Sequence, residues 1–149
     1  MEHQFNQYAG TGVINESLLQ FPKGIPGFPH LTQFELHHHD EHFSVLQSLQ
    51  EEETAFILVD PFPYIKDYEF EVPEDALNEL QIKDETQIAV RCIVTWHSQK
   101  EKVCVNLVAP VLFNVETKAG KQVVLQNTAY TTRTPLWGQE STHKESGEL

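Results

Sequence analysis

The sequence has few of the features that mark a secreted, membrane-spanning or disulfide-stabilised protein. It contains only two cysteines, Cys92 and Cys104, too few for the disulfide framework of a secreted domain of this size. Its longest strictly apolar run, residues 55–59, is far shorter than the roughly 18 residues that a membrane-spanning helix requires. Residues 1–7 lack the basic region and apolar run of a signal peptide. We therefore expect a cytoplasmic protein that does not insert into a membrane.

Basic residues are also scarce. The chain has 10 Lys and Arg against 22 Asp and Glu, a formal net charge of −12. The excess is local, because residues 35–90 contain 15 acidic and 2 basic residues, whereas residues 91–149 contain 5 acidic and 7 basic residues. Nucleic acids and anionic membranes are bound mainly by Lys and Arg, so direct contact with either is disfavoured. The charge favours a basic protein partner, although it is also compatible with a role in solubility alone.

The common catalytic motifs are missing. There is no Gly-x-Ser-x-Gly elbow, no Gly-Lys-Ser/Thr phosphate loop and no Gly-x-Gly-x-x-Gly segment. Residues 24–28 contain two glycines but no lysine or hydroxyl group, and the flanking prolines predict a rigid turn instead. Glu51, Glu52 and Glu53 precede an apolar strand, a position typical of a solvated loop. We find no pair of nucleophile and base, and we expect neither enzymatic activity nor a cofactor.

Four histidines cluster in residues 37–42, and they allow two interpretations. Imidazole and carboxylate groups together suit zinc or a redox metal, and cupin barrels use a His-x-His pair followed by Glu. Phe43 and Ser44 occupy the expected Glu positions, however, and no further histidine occurs before His97. We favour an exposed loop that chelates metal only weakly, and we retain a metal-binding, cupin-like enzyme as the alternative.

The remaining pattern is one of short β-rich runs separated by Pro, Gly and polar clusters, in a chain of single-domain size. It predicts a mainly β fold: a small β-barrel-like single domain with one or two short helices. Candidate strands are residues 4–8, 18–21, 34–37, 43–48, 55–59, 87–96, 102–108, 111–116 and 121–126. A helix is predicted over residues 73–80, with Leu77 and Leu80 on its apolar side, and a second short turn around residues 28–33.

Turn and strand patterns make further predictions. Gly120 is expected to close a hairpin between Glu116 and Lys121 through a positive φ, and residues 98–100 are expected to turn a second hairpin. Alternation along the strands directs Cys92 toward the core and Cys104 outward, so both should be free thiols.

Composition divides the chain at residue 130. We assign residues 1–130 to the β domain and residues 131–149 to a polar C-terminal tail. Trp137 is expected to fold back onto the body, or else to anchor a partner.

Several segments together resemble the FliW family of flagellar assembly factors over roughly residues 5–130. No single segment is decisive, but their order in a chain of this size is specific. The segments are Phe-Pro-Lys-Gly-Ile-Pro-Gly-Phe at residues 21–28, Phe-Glu-Leu at 34–36, Leu-Gln-Ser-Leu at 46–49, Ala-Phe-Ile-Leu-Val-Asp-Pro-Phe at 55–62, Val-Asn-Leu-Val-Ala-Pro at 105–110 and Gly-Lys-Gln-Val-Val-Leu at 120–125.

The resemblance implies a non-enzymatic adaptor, expected to be monomeric when free, that binds flagellin and the translational regulator CsrA in competition. Secretion of flagellin would free the adaptor to bind CsrA, which would relieve repression of flagellin mRNA translation. A flagellin chaperone without a regulatory role is the other interpretation of the same resemblance.

The residues suggest where each partner binds. We expect CsrA, whose RNA-binding surface is basic, to meet acidic residues with two aromatic anchors, chosen because exposed aromatics beside so much acid have no obvious role in a core. This surface comprises Glu51, Glu52, Glu53, Asp60, Phe62, Tyr64, Asp67, Glu69 and Glu71. For flagellin we predict an edge or bulge at Asn106, Val108 and Pro110, because proline removes a donor from a strand.

Overall fold

The computed structural model describes residues 12–137, so the strand predicted over residues 4–8 lies outside it. Within residues 12–137 the chain forms nine strands and one α helix. Two short 3-10 turns lie at Glu85–Gln87 and Lys100–Lys102. The strands and the helix are β1 (Ser17–Gln20), β2 (Gln33–His38), β3 (Phe43–Ser48), β4 (Ala55–Val59), α1 (Glu74–Glu79), β5 (Ile88–Thr95), β6 (Cys104–Val105), β7 (Val111–Asn114), β8 (Ala119–Gln122) and β9 (Thr134–Pro135).

Seven of the strands close into a barrel. They follow the order β4-β3-β2-β1-β8-β7-β5, and pairing of β4 with β5 completes the ring. Every neighbouring pair is antiparallel except β1 with β8, which is parallel. The end of β5 also pairs with β6, which in turn pairs with β9. The predicted fold class, a mainly β barrel with few short helices, is confirmed.

Strand alternation divides the apolar residues into two cores. One fills the barrel and includes Leu19, Phe34, Leu46 and Phe113, all fully buried. The other lies on the outer face of β5 and of its neighbours, and it is covered by the segment between β4 and β5. The outer core fixes the covering segment, with its acidic residues, to the barrel.

Helix α1 lies in the covering segment, and the helix prediction is confirmed. Pro73 precedes its first turn with φ −60°, and Glu74 and Asp75 occupy that turn, where acidic groups favour the helix dipole. Leu77 and Leu80 face the outer core as predicted, at 1% and 3% exposure.

The short turn predicted around residues 28–33 is not helical. Ile25 and Phe28 instead exchange backbone hydrogen bonds of 2.6 and 3.3 Å across a tight turn, which matches the rigid turn predicted for residues 24–28. Gly24 and Gly27 permit it with φ values of 70° and 92°.

The prediction for Gly120 is wrong. The hairpin between β7 and β8 forms, but the positive φ falls on Lys118, at 67°. Gly120 lies within β8, opposite Phe113, where the absence of a side chain leaves room for the ring of Phe21. Close packing, rather than turn geometry, therefore requires glycine at this position. The hairpin predicted at residues 98–100 does join β5 to β6.

The packed structure continues past residue 130. Strand β9 pairs with β6, Leu136 is buried, and Trp137 packs against the outer core, which confirms that Trp137 folds back. Both cysteines are free, with Cys92 buried and Cys104 half-buried. None of the helices in the described range is long or apolar enough to cross a membrane.

Candidate protein-binding surfaces

The nine residues predicted to bind CsrA fall into three groups on the barrel. Glu51, Glu52 and Glu53 form the turn between β3 and β4, whereas Asp60 follows the other end of β4. Seven residue steps of extended chain separate Glu53 from Asp60, a distance of roughly 20 Å. The third group, Asp67, Glu69 and Glu71, lies on the segment that covers the outer core. The structure does not bring the nine residues together into one compact surface.

The β3–β4 turn is an acidic loop held by side-chain hydrogen bonds. The Ser48 hydroxyl accepts hydrogen bonds from the backbone N–H groups of Gln50 and Glu51, both at 3.0 Å. The Glu51 carboxylate contacts His30 and Thr54, also at 3.0 Å, and these two hydrogen bonds, chiefly that to His30, lower the pKa of Glu51. Glu52 and Glu53 are exposed. The solvated loop predicted here is confirmed.

The two predicted aromatic anchors, Phe62 and Tyr64, are part of the packing around the outer core. Phe62 and Tyr64 are half-buried and pack against the outer core. The ring of Phe62 lies 5.8 Å from that of Tyr68, and the ring of Tyr64 lies 6.0 Å from that of Phe43. The premise that they have no core role is wrong, because the chain after β4 folds back across the barrel. Their role in binding CsrA stays a prediction.

An aromatic cluster surrounds Tyr64 at this end of the barrel. Trp137 lies 6.4 Å from Tyr64 and 5.8 Å from Trp96, which is 53% exposed. The ammonium group of Lys100 lies 5.1 Å from the centre of the Trp137 ring, a cation–π geometry. Burial, and then the nearby carboxylates of residues 40, 60 and 41, raise the pKa of Tyr64. Aromatic surface and negative charge therefore meet here.

Two residues of the third group, Glu69 and Glu71, line a groove. Asp67, Glu69 and Glu71 are exposed, and the intervening Tyr68 and Phe70 are buried. Residues 69–74 form one wall, and residues 124–128 with Tyr130 form the other, around a cavity of about 560 Å³.

The Tyr130 hydroxyl joins the two walls of this groove. It accepts a hydrogen bond from the N–H of Glu69 at 3.0 Å and lies within 3.3 Å of the carbonyl oxygens of Asp67 and Glu69. The two walls are thus tied together at Tyr130.

The segment predicted to bind flagellin is not a strand edge. It is the loop between β6 and β7, where the Asn106 side chain accepts hydrogen bonds from the N–H groups of Val108 and Ala109. The carbonyl of Val108 accepts from Leu125 at 2.8 Å, and that of Pro110 accepts from residue 123 at 3.0 Å. The edge prediction is wrong because residues 123–125 already cover the segment. Asn106 and Val108 are half-buried and Pro110 is buried.

The histidine cluster ends β2 and forms the turn into β3. His37 and His38 belong to β2, while the Asp40 carboxylate accepts hydrogen bonds from the N–H groups of Phe43 and His42 at 2.8 and 3.0 Å. These bonds, chiefly that from Phe43, lower the pKa of Asp40. Across residues 12–137, no three His, Cys, Asp or Glu side chains are placed to hold a metal ion.

Sequence reasoning missed a buried polar pair in the outer core. The Tyr68 hydroxyl donates to the Leu107 carbonyl at 2.8 Å and lies 3.8 Å from the Cys92 sulfur. Burial raises the pKa of both groups, that of Cys92 to about 12. A thiol with this pKa is protonated at neutral pH, so Cys92 has a structural role. The alternation of polar and apolar residues over residues 67–72 is the sequence signal that could have placed Tyr68 in the core.

Comparison with known proteins gives one consistent result. The family model described as FliW protein matches residues 4–136. The flagellar assembly factor FliW of Clostridium novyi (strain NT) is 40% identical over 124 residues, which are 82% of this chain and 87% of that protein. The factor of the same name from Anoxybacillus flavithermus (strain DSM 21510 / WK1) is 38% identical over 133 residues, 88% of this chain and 92% of that protein.

A solved structure also resembles the barrel. The crystal structure of a flagellar assembly factor FliW superposes with a TM-score of 0.78 and 35% sequence identity, and the match covers 87% of this chain and 96% of that one.

Proposed function

This chain belongs to the FliW family of flagellar assembly factors, and we propose that it works in the cytoplasm as a non-enzymatic adaptor that binds flagellin and CsrA in competition. When flagellin is secreted, the freed adaptor binds CsrA and relieves repression of flagellin mRNA translation. Two mutually exclusive affinities are sufficient for such a switch, and no chemical step is needed.

The observation that carries the CsrA half of the proposal is the distribution of charge. The covering segment is fixed to the barrel by Tyr68, Phe70 and Val72, so the acidic residues between them are held at the surface. An ordered array of carboxylates attracts a basic partner and repels the phosphate backbone of RNA. Binding beside the RNA site of CsrA would therefore weaken its hold on mRNA by electrostatic repulsion.

The position of the flagellin segment supports competition. The carbonyl of Val108 is hydrogen bonded to Leu125, and Leu125 lines the groove whose opposite wall carries Glu69 and Glu71. Val124, beside Leu125, is 52% exposed, so apolar and acidic surfaces face each other across one cavity. Partners that used the two walls would obstruct one another.

The test is competition on immobilised CsrA. We expect this protein to bind CsrA with an affinity that falls as salt is raised, and added flagellin to remove it. A chaperone without a regulatory role would bind flagellin and leave CsrA untouched. Absence of binding to CsrA at low salt would contradict the proposal.

Two sets of variants locate the surfaces. Asp67→Lys with Glu69→Lys should weaken CsrA binding and reduce its salt dependence, whereas Glu116→Lys with Glu101→Lys, of equal charge change on other loops, is the control. Asn106→Asp and Val108→Glu should weaken flagellin binding alone. Normal binding by folded variants would show that the corresponding surface is misplaced.

A further inference from the structure

Residues 68–72 have the exposure pattern of a strand but no strand partner. Tyr68, Phe70 and Val72 are buried at 4%, 8% and 2% exposure, and the two glutamates between them are exposed. Alternation with a period of two is the mark of a β-strand with one covered face. Within residues 12–137, however, Phe70, Glu71 and Val72 make no backbone hydrogen bond. Their N–H and C=O groups therefore have no hydrogen-bond partner within residues 12–137.

The groove beside this segment has room for an extended segment of another chain. Its volume of about 560 Å³ is within the range of roughly 300–1,000 Å³ typical of ligand sites. The opposite wall includes Val124, 52% exposed, and Leu125, half-buried. Four residues, 69–72, present about 13 Å of chain in extended form, enough to pair with a short strand.

Charge indicates the chemistry of the occupant. Glu69 and Glu71 both lie on the groove wall, and they project between buried residues on the same segment. A strand added alongside would present alternate side chains to these carboxylates and to the apolar wall. Lys or Arg at every second position, alternating with apolar residues, would complement both.

We propose that this groove receives an extended basic segment of a partner protein, which adds as a strand beside residues 69–72. Successive residues of an extended chain direct their N–H and C=O groups to opposite edges, and Glu69 bonds across the groove to Tyr130, so Glu71 also faces the groove with its main chain. Hydrogen bonds to the N–H and C=O of Glu71 supply affinity, and contacts of basic side chains with Glu69 and Glu71 supply selectivity. The choice of a basic partner rests on the proposed function, because Glu69 and Glu71 belong to the predicted CsrA surface. The mode of binding goes beyond it.

The probe is a hexapeptide of alternating lysine and valine with capped ends. It is titrated into the full chain, and binding is measured by isothermal titration calorimetry. We expect saturable binding of one peptide per chain. The same peptide with glutamate in place of lysine should not bind. A third peptide, N-methylated along one edge, keeps its charges but cannot pair as a strand on that edge, and we expect its affinity to fall about tenfold.

Matched protein variants locate the site. Glu69→Lys with Glu71→Lys should weaken the lysine–valine peptide about tenfold or more. Glu52→Lys with Glu53→Lys makes the same charge change on the β3–β4 turn and should leave affinity within about twofold. Circular dichroism verifies that both variants fold.

Besides a failure of the peptide to bind, three results would overturn the proposal. Equal binding of the N-methylated and unmethylated peptides would show charge attraction without strand addition. Equal weakening by both pairs of substitutions would show a diffuse field rather than a groove. A concentration-dependent dimer in sedimentation, abolished by Glu69→Lys with Glu71→Lys, would identify a second copy of this chain as the occupant.

The peptide test is independent of CsrA and flagellin. Failure of the peptide to bind, with competition on CsrA intact, would reject strand addition and leave the proposed function standing. Peptide binding without any association with CsrA would reject the proposed function and keep the groove as a site for another basic segment.

Discussion

The ring of Phe21 lies directly against the backbone of Gly120, so that a Cβ atom at Gly120 would be 2.5 Å from Cζ of Phe21. The ring has little freedom to move, because it is fully buried with edge contacts to Phe34 at 5.1 Å and Phe113 at 5.8 Å. One fully buried aromatic ring therefore determines which residue β8 can carry at this point.

Gly120→Ala should lower the free energy of unfolding by about 1–3 kcal/mol, the usual cost of overpacking a core, as measured by urea denaturation. The cost should be smaller in a Phe21→Leu background, where the colliding ring atoms are gone. Additive effects of the two substitutions would show that Phe21 is not the source of the constraint.

Asn114 links helix α1 to the β7–β8 hairpin through both ends of its buried amide. Its Nδ2 donates to the Leu80 carbonyl at 2.7 Å, and its Oδ1 accepts from the N–H groups of Glu116 and Thr117 at 2.8 and 3.1 Å. Asn114→Asp keeps the acceptor but loses the donor, and it places a carboxylate near a carbonyl. We expect a loss of about 1–3 kcal/mol of unfolding free energy.

Asn106→Asp is the matched control for this prediction. The Asn106 side chain accepts two backbone hydrogen bonds, and aspartate can accept both, so the unfolding free energy should change by less than about 0.5 kcal/mol. Equal effects at the two positions would contradict the importance of the donated bond to Leu80. A stable Asn106→Asp protein is also what the flagellin-binding test requires.

Glu79 connects helix α1 to two lysines. Its carboxylate lies 2.5 Å from Nζ of Lys23 and 2.9 Å from Nζ of Lys121. The hydrogen bonds to these lysines, chiefly that to Lys23, lower the pKa of Glu79 from 4.5. Because the folded-state pKa is the lower one, the stabilisation is present above pH 4.5 and is lost as the pH falls through the folded-state value.

Glu79→Gln should therefore reduce stability at pH 7 and have progressively less effect below pH 4.5. Urea midpoints of the two proteins, compared at pH 7 and at acidic pH, measure this difference. Raising the salt at pH 7 should also reduce the difference in stability, because Lys23 is exposed and its ion pair with Glu79 is screened. A difference that is independent of pH would indicate lost packing rather than lost charge.

The two cysteines should differ in reactivity. Cys92 is fully buried with its pKa raised to about 12, whereas Cys104 is half-buried in β6. A thiol reagent applied to the native protein at neutral pH should label Cys104 and spare Cys92. Mass spectrometry of peptides gives the sites, and both should be labelled in denaturant. Equal native labelling would contradict the burial of Cys92.

Local pattern was sufficient to predict much of the barrel. Strands β3 and β4 were predicted with their observed bounds, since each is an apolar run between polar turns. Alternation along β5 correctly directs Cys92 to a buried face. Strand β9 was missed because its two residues, Thr134 and Pro135, carry no strand signal and owe their structure to pairing with β6.

The candidate surfaces are shaped by contacts between segments that are distant in the sequence, and a local pattern does not show such contacts. Phe62 and Tyr64 follow a strand in an acidic segment, and only the return of the chain across β5 gives them a core to pack against. Proline predicts an edge or bulge at Pro110, but residues 123–125 are hydrogen bonded to this segment and cover it. The groove arises from two segments, residues 69–74 and 124–130, that are far apart in the sequence, so no local pattern could reveal it.

Competition between flagellin and CsrA for this protein is tested most directly by the release of RNA from CsrA. A labelled RNA bound to CsrA is titrated with this protein, and flagellin is then added, with fluorescence anisotropy followed throughout. We predict that the protein releases the RNA and that flagellin restores the CsrA–RNA complex. RNA that stays bound to CsrA at saturating concentrations of this protein would contradict the account.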